Sequence, residues 1–352
     1  MSGVIFSSIN SNNNALFGKF DIPIKALITE ESNAWEKQKT VLSELFNVER
    51  SYRFAENIMS EGGFDLFQSA EEGAGAENDN IAKGYDKTIY HIEFKKNFTI
   101  TRKAAADCII GKVLTMNSEV KKAPRAFISS YYRTRTKLAS WALANGTSTS
   151  GVFNKATVDL STGDGLALFS NAHTYKNPAK SGLTQSNYYY SGTMCATTTE
   201  LEASLNALTG KMRNFKDENG ESLDYVPDTL LIPSNRSGLE AIAKKVVGTE
   251  RTTGTDYNDI NIQYGKWTLV VVPGWETSDD RFMIMSSTAN RDLMANMFYN
   301  REPLDIASEV DINSRNYIWN GYCRMGIGFT TWKHILLAVD SGTAVSGATQ
   351  LT

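Results

Sequence analysis

The chain has 352 residues, 36 basic and 39 acidic, with a formal charge of -3, a length that fits one large or two interlocked domains. Hydrophobic residues make up 41% and charged residues 21%, with only seven prolines, which excludes wholesale disorder and a collagen-like or fibrous repeat. Because the charges nearly cancel, no overall field draws the chain to nucleic acid or an anionic membrane, and any such contact must be local.

The first 30 residues, rich in Ser and Asn and then weakly apolar, read as an arm that buries no core of its own and needs a partner surface. From Ser32 to Asn47, the residues Trp35, Leu42, Leu45 and Phe46 place one apolar stripe along a helix. Residues 70–80, AEEGAGAENDN, carry Glu71, Glu72, Glu77 and Asp79 and no basic residue. This is an acidic loop, either a contact surface or a plain solvated connection. From Thr88 to Ile100 the even positions Tyr90, Ile92, Phe94, Phe98 and Ile100 alternate with His91, Glu93, Lys95, Asn97 and Thr99. Such period-two alternation predicts a strand of roughly 40 Å, longer than usual and projecting from the body.

Ser118 to Asn145 predicts a long helix with Phe127, Ile128, Tyr131, Leu138, Trp141 and Ala142 near one face, closed by Asn145 and Gly146. Pro124 either opens this helix or bends it. Its polar positions include Lys121, Lys122, Arg125, Arg133, Arg135 and Lys137 against one acid, Glu119, so one face is expected to be basic. The turn-rich stretch 147–196 predicts only short strands. Thr199 with Glu202 forms a capping pair ahead of Leu201, Leu205, Leu208, Met212 and Phe215 at helical spacing. A buried strand follows at Thr229–Ile232, then a helix at Ser237–Val247 with Ser237 and Glu240 as its capping pair. Strands at Trp267–Val272 and Phe282–Met285 make residues 197–300 an α/β or α+β unit. Between them GTERTTGTDYNDINIQYG, 18 residues from Gly248 to Gly265, is a polar loop longer than the usual connection. Val310 to Val339 returns to strands, and no internal repeat is present.

Little in the chain carries chemistry. Cys108, Cys195 and Cys323 are far apart with no CxxC pair, and His91, His173 and His334 are equally scattered, so no disulfide framework, metal site or cofactor is expected. Ser170 and His173 in LFSNAH are the only local pair suggesting nucleophilic catalysis, and no GxSxG elbow surrounds them. A turn held by a hydrogen-bonded histidine explains them better than a Ser/His hydrolase. No phosphate-binding glycine motif is present, and no RNP motif, zinc finger or helix-turn-helix signature accompanies the basic helix face, which allows nonspecific nucleic-acid contact at most. The N-terminus lacks a basic segment followed by an apolar run, so no secretory signal is expected. Apolar runs such as Ile335–Val339 fall far below the ~18 residues of a membrane span. The expectation is a non-enzymatic, soluble chain made in the cytosol without membrane contact. An arm and a ribbon that cost ordering entropy unless neighbours bury them point to an assembly protein.

The order of these parts resembles tailed-bacteriophage major capsid proteins of the Hong Kong 97 fold, near the Mu-like major head subunit group. The matching stretches are SAEEGAGAENDNIAKGYDKTIYHIEFKKNFTITRKAAADC, ALANGTSTSGVF, LFSNAH, DYVPDTLLIPSNRSGLEAI, WTLVVVPGWETSDDRFMIMSS and NGYCRMGIGFTTWKHILLAV. The resemblance implies an α+β chain with an N-terminal arm and short helix (1–60), an extended E-loop hairpin (61–102), a peripheral domain with a spine helix (103–196), an axial domain (197–300), and return strands with a C-terminal tail (301–352). It also implies a shell of hexamers and pentamers around double-stranded DNA, located in the virion and assembled in the host cytoplasm. In such a shell the E-loop lies across neighbours, with Glu71, Glu72, Glu77, Asp79, Lys95 and Lys96 as candidate contacts. The 248–265 loop would lie toward the capsomer axis and the basic spine face near the interior. No long charged scaffold segment precedes the arm, so a separate scaffolding protein, and a portal, are implied partners. Isopeptide chemistry at Lys95 or Lys96 does not carry over, because no partner Asn and acid can be matched. A nanocompartment shell of the same fold, enclosing protein cargo, is the alternative.

Overall fold

The computed structural model describes residues 5–7, 15–61, 67, 69, 72–73, 83–107, 109–110, 113–114, 118–180, 182–250 and 260–351. The chain begins with strand β1 (Ile5–Ser7), helices α1 (Ala15–Glu36) and α2 (Val41–Leu45), and strands β2 (Asn47–Arg50), β3 (Ala55–Glu61) and β4 (Lys83–Ile100). The spine helix α3 (Ser118–Ala144) precedes the hairpin β5 (Ser150–Phe153) and β6 (Ala156–Asp159), then β7 (Tyr188–Ser191) and α4 (Thr198–Arg213). Next come β8 (Thr229–Pro233), α5 (Ser237–Gly248), β9 (Thr268–Val272), β10 (Arg281–Met285) and α6 (Ser287–Asp292). The last strands are β11 (Asn296–Val310), β12 (Tyr317–Phe329), β13 (Ile335–Asp340) and β14 (Thr349–Gln350).

Among the described residues, one six-stranded sheet runs β1-β11-β12-β4-β3, with β2 also on β11, and a second runs β9-β8-β10-β13-β7-β14. The spine helix lies on the first sheet because that face is apolar: Leu304, Ile306, Tyr317 and Trp319 are buried with Phe127, Ile128 and Tyr132. Phe98 stacks on Trp319 at 5.1 Å and meets Phe127, also at 5.1 Å. Gly321 allows this approach, since a Cβ there would stand 2.4 Å from the Phe127 ring. Farther along, Leu138, Ala142 and Leu143 of the spine join the larger core, which continues through Leu201, Leu205 and Leu208 of α4 to the buried strand β8.

Several expectations change. The N-terminal segment is not coreless: Ile24 and Ile28 are fully buried and α1 packs along the spine. Trp35 stacks on Tyr132 at 5.8 Å, and Ser32 Oγ lies 2.7 Å from the Tyr132 hydroxyl. The partner surface it requires is the chain's own spine. The single helix expected over 32–47 is two, because Thr40 and Ser43 form a capping box that starts α2 afresh. Helix α4 takes the earlier of two overlapping Thr/Glu registers, with Thr197 and Glu200 as its box. Ser237 is the first helical residue of α5 and makes no side-chain cap. Strand β11 escapes the sequence pattern because Pro303 sits where the ladder slips, between Asn300 and Asp305. The polar loop keeps only its two ends among the described residues, 251–259 lying outside them.

The long strand projects over only part of its length. Residues 91–100 of β4 pair with β12 inside the sheet, and the preceding part, to Lys83, pairs with β3. The buried phase reverses where the neighbour changes, so Lys87 and Ile89 are buried while Tyr90 is exposed.

His334 is fully buried beside β13, where its Nε2–H donates to Asn296 Oδ1 at 2.8 Å. Burial pulls its pKa down to about 3. The unfolded chain therefore takes up a proton below pH ~6.5 that the folded chain refuses, and this stability is lost as pH falls from ~6.5 toward about 3. His334→Gln, which keeps an N–H donor, should give a shallower fall in unfolding free energy between pH 6.5 and 4 than the native chain, by up to ~1.4 kcal/mol per pH unit in urea denaturation. Parallel stability–pH curves would refute it.

Candidate assembly surfaces

The β3–β4 hairpin is fixed at its root by polar contacts with the body. Lys87, 5% exposed, donates from Nζ to Asp159 Oδ2 at 2.6 Å and to Ser161 Oγ at 2.8 Å. Burial opposes ionisation of Asp159, but hydrogen bonds from Lys87 and Ser161 prevail and hold its carboxyl below the ordinary range. Tyr85 Oη lies 2.9 Å from Thr174 Oγ1, and Lys176 Nζ donates to Gly84 O at 2.6 Å. A cavity of about 410 Å³ separates Met59 and Tyr85 of the hairpin from Trp332 and Met294 of the body.

The candidate contact residues divide. Glu72 is exposed at a turn, while Glu71, Glu77 and Asp79 lie outside the described residues. Lys95 and Lys96, expected on the projecting ribbon, stand instead on the half of β4 paired with β12, opposite Tyr322 and Gly321. Lys95 is an exposed ion-pair partner of Glu93 at 2.6 Å and lies over the Tyr322 ring. The hydrogen bond between the two raises the Lys95 pKa and lowers that of Glu93. Lys96 donates to Ser130 Oγ on the spine at 2.8 Å.

On the spine, Lys121, Lys122, Arg125, Arg133 and Lys137 are exposed, and Arg125 has a 3.9 Å contact with Glu30. Pro124 lies within the helix as its seventh residue, counted from Ser118. Arg135 departs from the basic face: it is 6% exposed, with its guanidinium 5.5 Å from the Tyr131 and Phe298 rings and 5.9 Å from Tyr132. Its Nε–H has no acceptor among the described residues. The sequence contains the signal, since Tyr131, Arg135, Leu138 and Ala142 share one helical stripe. Three π-faces take the place of a carboxylate.

Ser170 and His173 do not meet as a dyad. His173 Nδ1 pairs with Asp164 Oδ2 at 2.7 Å and its Nε2 with Asn187 Oδ1 at 3.2 Å, while Ser170 Oγ accepts from Ala172 N. The ring is fully buried and stacks on Trp332 at 4.4 Å. Among the described residues no cluster could hold a metal ion, and no helix is long and apolar enough to cross a membrane.

A spine helix across a sheet, a hairpin rooted at its side and a second α/β sheet beyond define a shell-building architecture, the Hong Kong 97-type α+β capsid fold. The phage capsid protein family matches residues 87–338, and the chain belongs to that family. A chain of the Mycobacterium phage Patience structure aligns with a TM-score of 0.51 at 11% identity, over 97% of this chain and 94% of that one. The capsid of cyanophage P-SCSP1u aligns at 0.49 and 12% identity, covering 87% and 89%. For the capsid of Myoviridae phage XM1 the values are 0.47 and 12%, covering 84% and 89%. No curated protein matches the sequence. This is a structural major capsid protein, a component of oligomeric shells, located in the virion capsid.

The hairpin root gives an asymmetric prediction. Asp159→Ala strands the buried Lys87 ammonium and should cost about 2 kcal/mol, low for a buried pair because the Asp159 side chain is 54% exposed. Lys87→Met leaves a carboxylate that water can reach and should cost about 1 kcal/mol or less. Urea denaturation of both variants checks the order, and equal or reversed losses would contradict the clamp.

Proposed function

We propose that copies of this chain close as hexamers and pentamers into an icosahedral or prolate shell around double-stranded DNA. The hairpin and acidic loop lie across neighbouring copies, and the exposed spine face touches the genome. A scaffolding protein and a portal are separate chains, and assembly takes place in the cytoplasm of the bacterial host. The observation that carries the DNA part is charge segregation: Lys121, Lys122, Arg125, Arg133 and Lys137 are exposed along one helix. On the sheet, by contrast, Lys95 pairs with Glu93 and Arg324 with Glu302. Phosphates are neutralised by such a face without base readout.

Electron microscopy of the purified protein under assembly conditions should show closed shells or capsomer rings, with DNA inside particles recovered from cells. Discrete ~39 kDa particles alone would remove the assembly reading, and shells filled with protein cargo would remove the DNA reading. For duplex DNA binding to dissociated subunits, the triple change Lys122→Gln, Arg133→Gln and Lys137→Gln should reduce the slope of log K against log salt by up to ~3. Arg135→Met should leave that slope unchanged, because Arg135 is buried; equal effects would count against the assigned face.

A further inference from the structure

The cavity between hairpin and body has firm walls and no side chain of its own to fill it. Its volume is about 410 Å³, whereas roughly 150 Å³ suffices to take up a benzene ring. Two exposed thioethers, Met59 and Met294, line it from opposite sides, with Trp332 between them stacked on the buried His173. Met294 stands at a φ of 47°, a left-handed conformation that a methionine adopts only under constraint. Thr330 Oγ1–H holds it there by donating to Met294 O at 2.8 Å. Two acids complete the lining, Glu218 and Asp292. Glu218 is taken by Lys333 at 3.2 Å and by the Lys176 N–H at 2.7 Å. Asp292 is exposed and has no ion-pair partner among the described residues. An apolar hollow with an unpaired carboxylate at its rim suits an aromatic group that carries a cation beside it.

The turn from β2 to β3 presents that chemistry. Tyr52 and Phe54 are 70% and 77% exposed, and Arg50 and Arg53 beside them are exposed with no carboxylate partner among the described residues. The turn is held in place: Ser51 N–H donates to Asn300 O, Ser51 Oγ–H to Glu56 Oε1, and His91 Nδ1–H to Phe54 O at 2.8 Å. It does not reach the cavity of its own chain. Phe54 packs edge-on against Tyr90, while Met59 lies opposite Asp86, so five residues of strand, ~17 Å, separate Phe54 from the cavity wall.

We infer that this cavity receives the Tyr52–Phe54 turn of a second copy, with the Phe54 ring between Met59 and Met294 and the Arg53 guanidinium toward Asp292. Sulfur–aromatic contacts and a charge-assisted hydrogen bond would then satisfy groups that each copy alone leaves in water. Donor and acceptor are different surfaces of one chain, so the contact is heterologous and repeats head to tail, as ring closure requires. It deepens the proposed shell function and rests on it.

The test is disulfide trapping in a Cys108→Ser background, Cys195 and Cys323 being buried. One population carries Phe54→Cys and the other Met59→Cys, both at exposed positions; they are co-assembled, checked by electron microscopy and oxidised with diamide. The expected result is a covalent dimer that needs both populations and exceeds, at least fivefold, a control pairing Phe54→Cys with Ile312→Cys, at an exposed position away from the cavity. Arg53→Glu in the Phe54→Cys population should lower the yield severalfold, and Asp292→Arg in the Met59→Cys population should restore it. Intact particles with no excess over the control would overturn this contact while leaving shell assembly standing. Failure of the unmodified chain to form particles would instead overturn the functional reading itself. A yield insensitive to both charge changes would overturn the placement of Arg53 against Asp292.

Discussion

Everything in the molecule is arranged around the contact of one helix with one sheet. The spine crosses from the smaller core of Ile24, Ile128, Tyr132 and Trp319 to the larger core of Leu138, Leu143, Leu205 and Ile284, so its apolar stripe ties two packed bodies with one rigid element. Its seat is the aromatic stack of Phe98, Trp319 and Phe127, where each ring pair adds about 0.5–1.5 kcal/mol beyond burial. Gly321 sets how closely helix and sheet approach. Loosening this seat would separate α1 from its support and let the first sheet move relative to the second.

The same contact assigns the surfaces. Once the spine covers one face of β4, β12 and β11, its opposite arc is left to solvent with five cations, and the uncovered sheet face displays paired charges. The part of β4 beyond the spine gains β3 as its neighbour and is secured by Lys87 at Asp159. An assembly protein needs this combination: a body stiff enough to hold its shape, and surfaces whose apolar groups and charges a neighbour or genome completes.

Much of this was legible along the chain, where periodicity was carried by many residues. The spine, α4, α5 and the strands at 229, 268 and 281 follow from apolar spacing, and the charge segregation is visible directly. Misplacements arose where two local signals competed. ATTTELE offers two capping registers, and Thr40 interrupts what the apolar stripe alone would continue. Pro303 hides β11, since proline normally argues against a ladder and the bulge that tolerates it is a property of the pair.

By itself the sequence determined the kinds of element and the order of parts that resembles a capsid subunit. Only the tertiary structure decided which neighbour each element received. It placed α1 on the chain's own spine, divided β4 between sheet and hairpin, moved Lys95 and Lys96 into the body, and enclosed Arg135 within three rings. The physical reason is that periodicity tells which side chains must leave water, whereas the surface that takes them in is set by which elements the fold brings together, many of them distant in the chain.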